Sequence, residues 1–570
     1  MTSVTSLTKM KTNFVRLDGL PWLLLVLILT GSCEKIRKEE EDKLGSNRPN
    51  ILLIMADDMG FSDLGCFGSE INTPNLDALA ANGLRYTQFY NSARCCPTRA
   101  SLLTGLYPHQ TGVGAMTNMD RGFDGYRADL NNKCVTIAEA LKEANYATYM
   151  CGKWHVTRFI HPDSSKHNWP VQRGFDKFYG SLAGFGRSGF YHTKTLTYNN
   201  TPLPVPVNNF YYTNSITDSA AQFIQDHLNS KKEEPFFMYL AYTAPHWPLH
   251  APEEDIVRYQ GKYDAGWDAV RKKRYEKLQE LGVVNENWQL TLRDTSVGEW
   301  KNTDHKAWEA RRMEVHASMV DLMDQGIGKV IQVLKKNGQL ENTVILFLSD
   351  NGGSAEEIMP GGWFEKNLPD KTPDGRAIHR FNLPHILAGA DTTYQSIGVP
   401  WANVSNSPFQ KYKRYLHEGG IATPLVAHWP AGIDAKGELR SQPAHVMDIM
   451  ATCLDVAGAD YPEEYKNHAI TPMEGKSLVT TFTNFTKEER TLCWEHLGRR
   501  AIRKGNFKLV SVERAGKGNW ELYDMENDRT ETKNLASEKP DVVQQLASEW
   551  EEWAEKVQVK PWPWSKARGR

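Results

Sequence analysis

The sequence predicts an α/β fold: a large, mostly parallel sheet flanked by helices, then a small C-terminal α+β domain with an antiparallel sheet and a closing helix. Three observations carry this. Short continuous apolar runs stop abruptly at polar clusters, the pattern of strands buried on both faces. Amphipathic helical stretches lie between those runs, and strands alternating with helices build a parallel sheet. Residues 490–536 instead alternate polar and apolar positions between turn signals, which is the pattern of hairpins.

The first strand is ILLIMADD, in which Ile51 to Met55 form one apolar run. NLDALAANG (75–83) and TIAEALKEAN (136–145) are short helices, with Thr136 and Asn145 as terminal signals. YATYMCGKWH (146–155) and FFMYLAYTAPH (236–246) are the next strands. Residues 255–310 are rich in charge and tryptophan and read as an irregular helical insertion. A long helix over 308–336 carries Met319, Met323, Ile327, Val330, Ile331 and Leu334 on one face. It runs into the strand TVILFLSDNGG (343–353), and TPLVAHWP (423–430) is a further strand. PDVVQQLASEWEEWAEKV (540–557) is the closing helix. In a parallel sheet, ligands sit at the carboxyl ends of strands. The clusters ADD, GKWH, APH and SDNGG each follow an apolar run, so one pocket can collect them.

Composition narrows the function. Lys plus Arg is 67 and Asp plus Glu is 69, a formal charge of −2 that argues against a nucleic-acid binder. A mean hydropathy of −0.54 excludes a polytopic membrane protein. Eight cysteines in 570 residues, none in a CxxC pair, are neither a disulfide framework nor a thiolate zinc site. Lys9, Lys11 and Arg16 precede the apolar run LPWLLLVLILT (20–30), which is too short for a comfortable membrane span and reads as an export signal. LTGSC resembles a bacterial lipoprotein signal with Cys33 as the lipidated residue; the alternative is an ordinary cleaved signal. The expected organisation is signal 1–33, charged tether 34–48, main domain 49–485 and C-terminal domain 486–570.

The deciding motif is CCPTRASLLTG at 95–105. With it the chain resembles the sulfatase family of the alkaline-phosphatase-like superfamily, whose signature Cys95, Pro97, Arg99, Leu103, Thr104 and Gly105 match position by position. The resemblance implies that Cys95, not Cys96, is oxidised to formylglycine by a maturation enzyme, and that Cys96 fills a variable position. The aldehyde hydrate carries two hydroxyls on one carbon, one to attack sulfur and one to expel sulfate.

Asp57 and Asp58 end one strand, Asp350 and Asn351 another. Four oxygen-bearing side chains without Cys or His suit a hard divalent ion, Ca²⁺ or Mg²⁺. The resemblance implies one Ca²⁺ at these four, beside Cys95. It further implies that Lys153 binds a sulfate oxygen, that His155 takes a proton in the elimination step, and that His246 is the acid for the leaving group. Lys413 clamps the sulfate, and Arg99 steadies the hydrate and the metal-side carboxylates. His250 is a weaker, substrate-facing candidate; His316 reads as structural. The pocket rim is expected from 155–215, 247–310 and 355–410, with Trp494, His496 and Arg499. The branch resembled is that of bacterial arylsulfatases, so the expected partner is a sulfated small molecule or glycan. The rival readings are a phosphatase or phosphodiesterase of the same superfamily, and a sulfated-glycan binder with an unmodified Cys95.

Overall fold

The strand Asn50–Asp57 is the axis of the molecule: all eight of its residues are buried, and it pairs in parallel with Phe236–Pro245 on one side and Thr343–Ser349 on the other. Leu53 stands opposite both Tyr239 and Leu346. The computed structural model describes residues 48–562 apart from 185–188, 191–194, 205–209, 484–488 and 512–519. The expected signal, Cys33, nearly all of the tether and the expected boundary at 485/486 lie outside the described residues. Among those described, no helix is long and apolar enough to cross a membrane.

The parallel block continues through Ala147–Lys153 to Lys177–Ser181. The sheet is therefore mostly parallel as expected; its far edge, Leu196–Tyr198 and Thr201–Pro202, is antiparallel, and a second exception lies inside the sheet. Ala422–His428 runs antiparallel to both of its neighbours, Thr343–Ser349 and Leu84–Tyr90. Four parallel strands thus deliver ADD, SDNGG, APH and GKWH from their carboxyl ends. The antiparallel strand delivers what precedes it, the KYKRYLHEGG segment, to the same edge.

Helices cover both faces. The expected long helix is Lys306–Lys336, and its Met319, Met323, Ile327, Val330 and Leu334 are fully buried, as the periodicity requires. Beside it lies Tyr212–Ser230, which no apolar run announces; it buries Ile216, Ala220, Phe223 and Ile224 at helical spacing. On the other face the helix Ile137–Glu143 starts in a reciprocal capping box: Thr136 Oγ1 accepts from the Glu139 amide at 3.1 Å, and Glu139 returns the bond to the Thr136 amide at 2.9 Å. Asn145, with φ +60°, turns the chain into the next strand. The insertion is better ordered than its composition indicates, since Gly266–Glu280 is a continuous helix.

Thr491–His496, Arg499–Lys504, Phe507–Ser511 and Trp520–Asp524 form the antiparallel meander, and Pro540–Lys556 closes it over Cys493, Ile502, Leu509, Leu522, Leu546 and Trp550. Buried charge joins this sheet to the turn after Lys413. Lys508 Nζ lies 2.8 Å from both Glu418 Oε1 and Glu531 Oε1, and Arg529 Nε donates to Glu418 Oε2 at 2.8 Å. The described residues from Pro49 onward form one compact unit.

Candidate functional site

Cys95 opens the helix Cys95–Thr104, in which every residue is buried. Pro97 is tolerated because it falls in the first turn, where its missing N–H is not needed. Arg94 makes no side-chain cap, so the first-turn amides point at the site with the positive end of the helix dipole. The thiol lies among Asp57, Asp58, Asp350, Lys153 and His155, each of which feels its charge. A hydrogen bond from Cys96, then Lys153 and His155, hold the Cys95 thiol well below the usual range despite burial.

Two lysines brace the carboxylates. Lys153 Nζ lies 2.6 Å from Asp57 Oδ2, and Lys413 Nζ lies 2.7 Å from Asp58 Oδ2. Burial opposes the charge on Lys413, but Asp58 and then Glu356 raise its pKa. Arg99 Nε and Nη2 both donate to Asp350 Oδ2, at 3.0 and 2.8 Å, and Nη1 donates to the Lys153 carbonyl at 3.0 Å. The Asp58 amide donates to Asp350 Oδ1 at 3.2 Å. Asp58 adopts φ +66° and His155 φ +60°, sparsely populated for side-chain-bearing residues and common where backbone is bent to aim a functional group.

The expected cation ligands Asp57, Asp58, Asp350 and Asn351 are brought together, and they fit a hard ion. Asp57 Oδ1 and Asn351 Oδ1 are buried without a hydrogen-bond partner, while Asn351 Nδ2 donates to Asp58 Oδ1 at 2.7 Å. Burial raises Asp57, with Asp58 adding to its shift, and pushes Asp350 up to about 8, with Asp57 adding to its shift. Buried carboxylates under that pressure are stabilised by one more positive charge.

His246 Nδ1 bonds the Trp247 carbonyl at 2.7 Å, which fixes the ring hydrogen on Nδ1. Its Nε2 faces Asp58 Oδ2 and Lys413 Nζ, both at 3.4 Å. Burial lowers the His246 pKa and brings that of His155 to about 4. Gly184 makes room for the His155 ring, since a Cβ there would stand 1.7 Å from it. His250 stays apart from this cluster, while His316 lines a small cavity together with Asp58 and His246. His250 bonds the Thr393 carbonyl, and His316 lies 3.1 Å from Asp63, a structural pair as expected.

Three findings amend the sequence reading. Cys96 is more than a filler of the signature, because its Sγ lies 3.0 Å from His155 Nε2. Glu356, which no motif singles out, collects Lys413 at 3.8 Å, Arg94 at 3.4 Å and Arg414 at 3.7 Å, and accepts from Trp247 Nε1 at 2.8 Å. Its only signal is its place six residues after Asp350. Tyr239 was likewise unannounced: its hydroxyl accepts from Arg99 Nη1 at 3.4 Å, from within an apolar strand.

The chain matches the family model described as Sulfatase over residues 49–459, and that of the N-sulphoglucosamine sulphohydrolase C-terminal region over 409–558. It is 36% identical to an uncharacterized sulfatase of Schizosaccharomyces pombe over 536 residues, covering 89% of this chain and 93% of that one. It is 33% identical to an arylsulfatase of Klebsiella aerogenes over 472 residues, covering 79% and 94%. Among solved structures it resembles Ps i-CgsB in complex with k-i-k-neocarrahexaose, with TM-score 0.61, 26% identity, and 89% and 93% of the two chains covered. Joined to the CCPTRASLLTG helix and the buried lysines and carboxylates around it, these matches show that the chain belongs to the sulfatase family and is a sulfuric ester hydrolase.

Proposed function

We propose that the protein hydrolyses sulfate monoesters, of sulfated carbohydrates or aryl alcohols, to the alcohol and inorganic sulfate, with Cys95 converted to formylglycine and one Ca²⁺ held by Asp57, Asp58, Asp350 and Asn351, beside residue 95. The observation that carries this is the enclosure of Cys95, at a helix N-terminus, between two buried lysines that are each paired to a strand-end aspartate. Hydrated formylglycine supplies two hydroxyls on one carbon, one to take the sulfuryl group from its ester and one to release it as sulfate. A divalent cation, when bound, supplies Lewis acidity toward sulfate oxygens and the attacking hydroxyl.

This chain's residues do the rest. Lys153 and Lys413 bind the sulfate oxygens and stabilise the charge that develops on them. As the doubly protonated imidazolium, with Asp58 Oδ2 3.4 Å away, His246 gives its Nε2 proton to the departing oxygen and is left as the neutral ring whose Nδ1–H stays bonded to the Trp247 carbonyl. His155 takes the proton of the second hydroxyl, so that the C–O bond to sulfate breaks and the aldehyde returns. Arg99 holds Asp350 and the Lys153 backbone in register. The Ps i-CgsB complex with k-i-k-neocarrahexaose supports a sulfated-glycan substrate. The N-terminal sequence supports export to the periplasm or outer membrane with a lipid on Cys33, and the Cys95 signature supports maturation by a formylglycine-generating enzyme.

The test is mass spectrometry of the Ser92–Arg99 peptide from active enzyme, alongside turnover of 4-nitrophenyl sulfate. A formylglycine mass at residue 95 is expected. An unmodified thiol in fully active material overturns the mechanism, and an unmodified thiol without turnover favours a glycan binder.

A further inference from the structure

A cavity of about 460 Å³ opens beside the sulfate site, and Lys413 belongs to both. Its walls carry Lys411, Lys413, Arg414 and Arg499 against Asp294, Glu356 and Glu357. Two of those carboxylates are matched by arginines outside the lining, Glu356 by Arg94 at 3.4 Å and Glu357 by Arg312 at 3.3 Å. Asp294 accepts from Tyr412 Oη at 2.8 Å and from the Ser296 amide at 2.9 Å, so it is already hydrogen-bonded within the wall. Within the lining Lys411 lies 4.0 Å from Asp294 and Arg414 3.7 Å from Glu356, and Lys413 is paired with Asp58 at 2.7 Å; the lining still carries four cations against three carboxylates, and low-dielectric walls focus that field on an incoming anion.

The cations are held in place for this. Arg499 is 6% exposed, and its guanidinium lies 4.3 Å from the Tyr415 ring centroid. An arginine stacked on an aromatic ring is preorganised and presents its fork edge-on, the geometry that matches a carboxylate or sulfate. Arg94, Arg414 and Arg499 converge on the buried His496, whose pKa falls first from burial and then from these three. Arg94 and Arg414 both reach Glu356, at 3.4 and 3.7 Å, and Glu356 faces Lys413 at 3.8 Å, which puts these arginines next to the sulfate site. Phe364 and Tyr412 add aromatic surface of the kind that packs on sugar faces.

We infer that this cavity is the leaving-group subsite and that it takes a second anionic group, a sulfate or a carboxylate, carried by the substrate beside the scissile ester, with Arg499 and Arg414 as its specificity-determining residues. This rests on the sulfatase reading of the neighbouring site. It also gives the C-terminal sheet a part in substrate choice, since Arg499 opens its second strand.

The test separates the two claims. Turnover of 4-nitrophenyl sulfate, whose leaving group carries no second acid group, reads the sulfate chemistry without the anion contact; its absence would sink the sulfatase reading and leave the subsite to be judged by binding. Binding is measured by calorimetry on full-length Cys95→Ala. One pair of probes adds a sulfate (D-glucosamine 6-sulfate against D-glucosamine-2-N,6-O-disulfate). The other adds a carboxylate (phenyl sulfate against 4-sulfooxybenzoate). In at least one pair the doubly anionic probe should bind about tenfold or more tightly, which is the scale of one well-made charged hydrogen bond. The pair that responds identifies the group. Arg499→Gln in the same background should remove most of that advantage while the singly anionic probe changes by about twofold or less. Arg414→Gln serves as the second variant, and an unchanged thermal unfolding midpoint and circular dichroism spectrum of each variant certify the fold. No advantage in either pair, or equal weakening of both members of a pair by both variants, overturns the inference.

Discussion

Cys96 Sγ lies 3.0 Å from His155 Nε2, so the residue after the signature cysteine touches the histidine proposed to reset the nucleophile. The two neighbouring cysteines therefore have separable parts. Cys95→Ala should abolish turnover of 4-nitrophenyl sulfate, because no other side chain replaces the two hydroxyls. Cys96→Ala should lose one hydrogen bond of about 1 kcal/mol and reduce kcat by roughly tenfold or less. The reverse ranking in a side-by-side assay would place the nucleophile on the wrong cysteine.

The cation site is tested by removal. Dialysis against a chelator should eliminate activity, and Ca²⁺ should restore it, with Asp57 and Asn351 providing the buried orphan oxygens that receive it. A preparation shown by elemental analysis to be metal-free and still fully active contradicts the assignment.

Asp350→Ala should do more than weaken metal binding. It strips Arg99, a fully buried guanidinium, of the carboxylate oxygen it grips twice. Asp57 Oδ1 stays 3.9 Å from Arg99 Nη2, so the loss is that of the two hydrogen bonds, about 1–3 kcal/mol. Thermal unfolding of the metal-free protein should show the loss, and Asp350→Asn should show a smaller one. Equal Tm values for wild type and Asp350→Ala without metal would refute the pairing.

The junction of the C-terminal sheet is a second buried ion cluster. Lys508→Met removes the cation shared by Glu418 and Glu531 and should cost about 3–5 kcal/mol. Adding Glu531→Gln to that variant should recover part of the loss, because it deletes the carboxylate left without its cation, whereas Glu418 keeps Arg529 at 2.8 Å. A purely additive double mutant would mean the groups act independently.

His445 supplies a pH prediction away from the site. Burial brings its pKa down to about 3, below the ordinary value near 6.5. A histidine depressed on folding contributes stability that is present above about pH 6.5 and is lost as pH falls toward 3. Between pH 6.5 and 5 the loss should be about 2 kcal/mol. Chemical denaturation at the two pH values should show a flatter response in His445→Gln; an identical pH slope would refute it.

Some of this was legible in the chain itself. A run such as Ile51–Met55 ending at Asp57 and Asp58 can only be a buried strand that breaks where charge begins, and the 3.6-residue period over Met319–Leu334 admits only a helix with one buried face. The spacing within Cys95–Gly105 carried the family resemblance, because that stretch forms one local element, the helix Cys95–Thr104 capped by Gly105. Local patterns reach only as far as local contacts do. That Ala422–His428 runs against its neighbours, and so brings Lys413 to Asp58 from a segment 355 residues away, is decided by sheet order, which no local period encodes. The same holds for Glu356 gathering three cations, Cys96 meeting His155, and Arg499 entering the cavity from the C-terminal sheet. Each depends on which faces meet when the layers pack, and the partners of a buried charge are set by that packing, not by its neighbours in sequence.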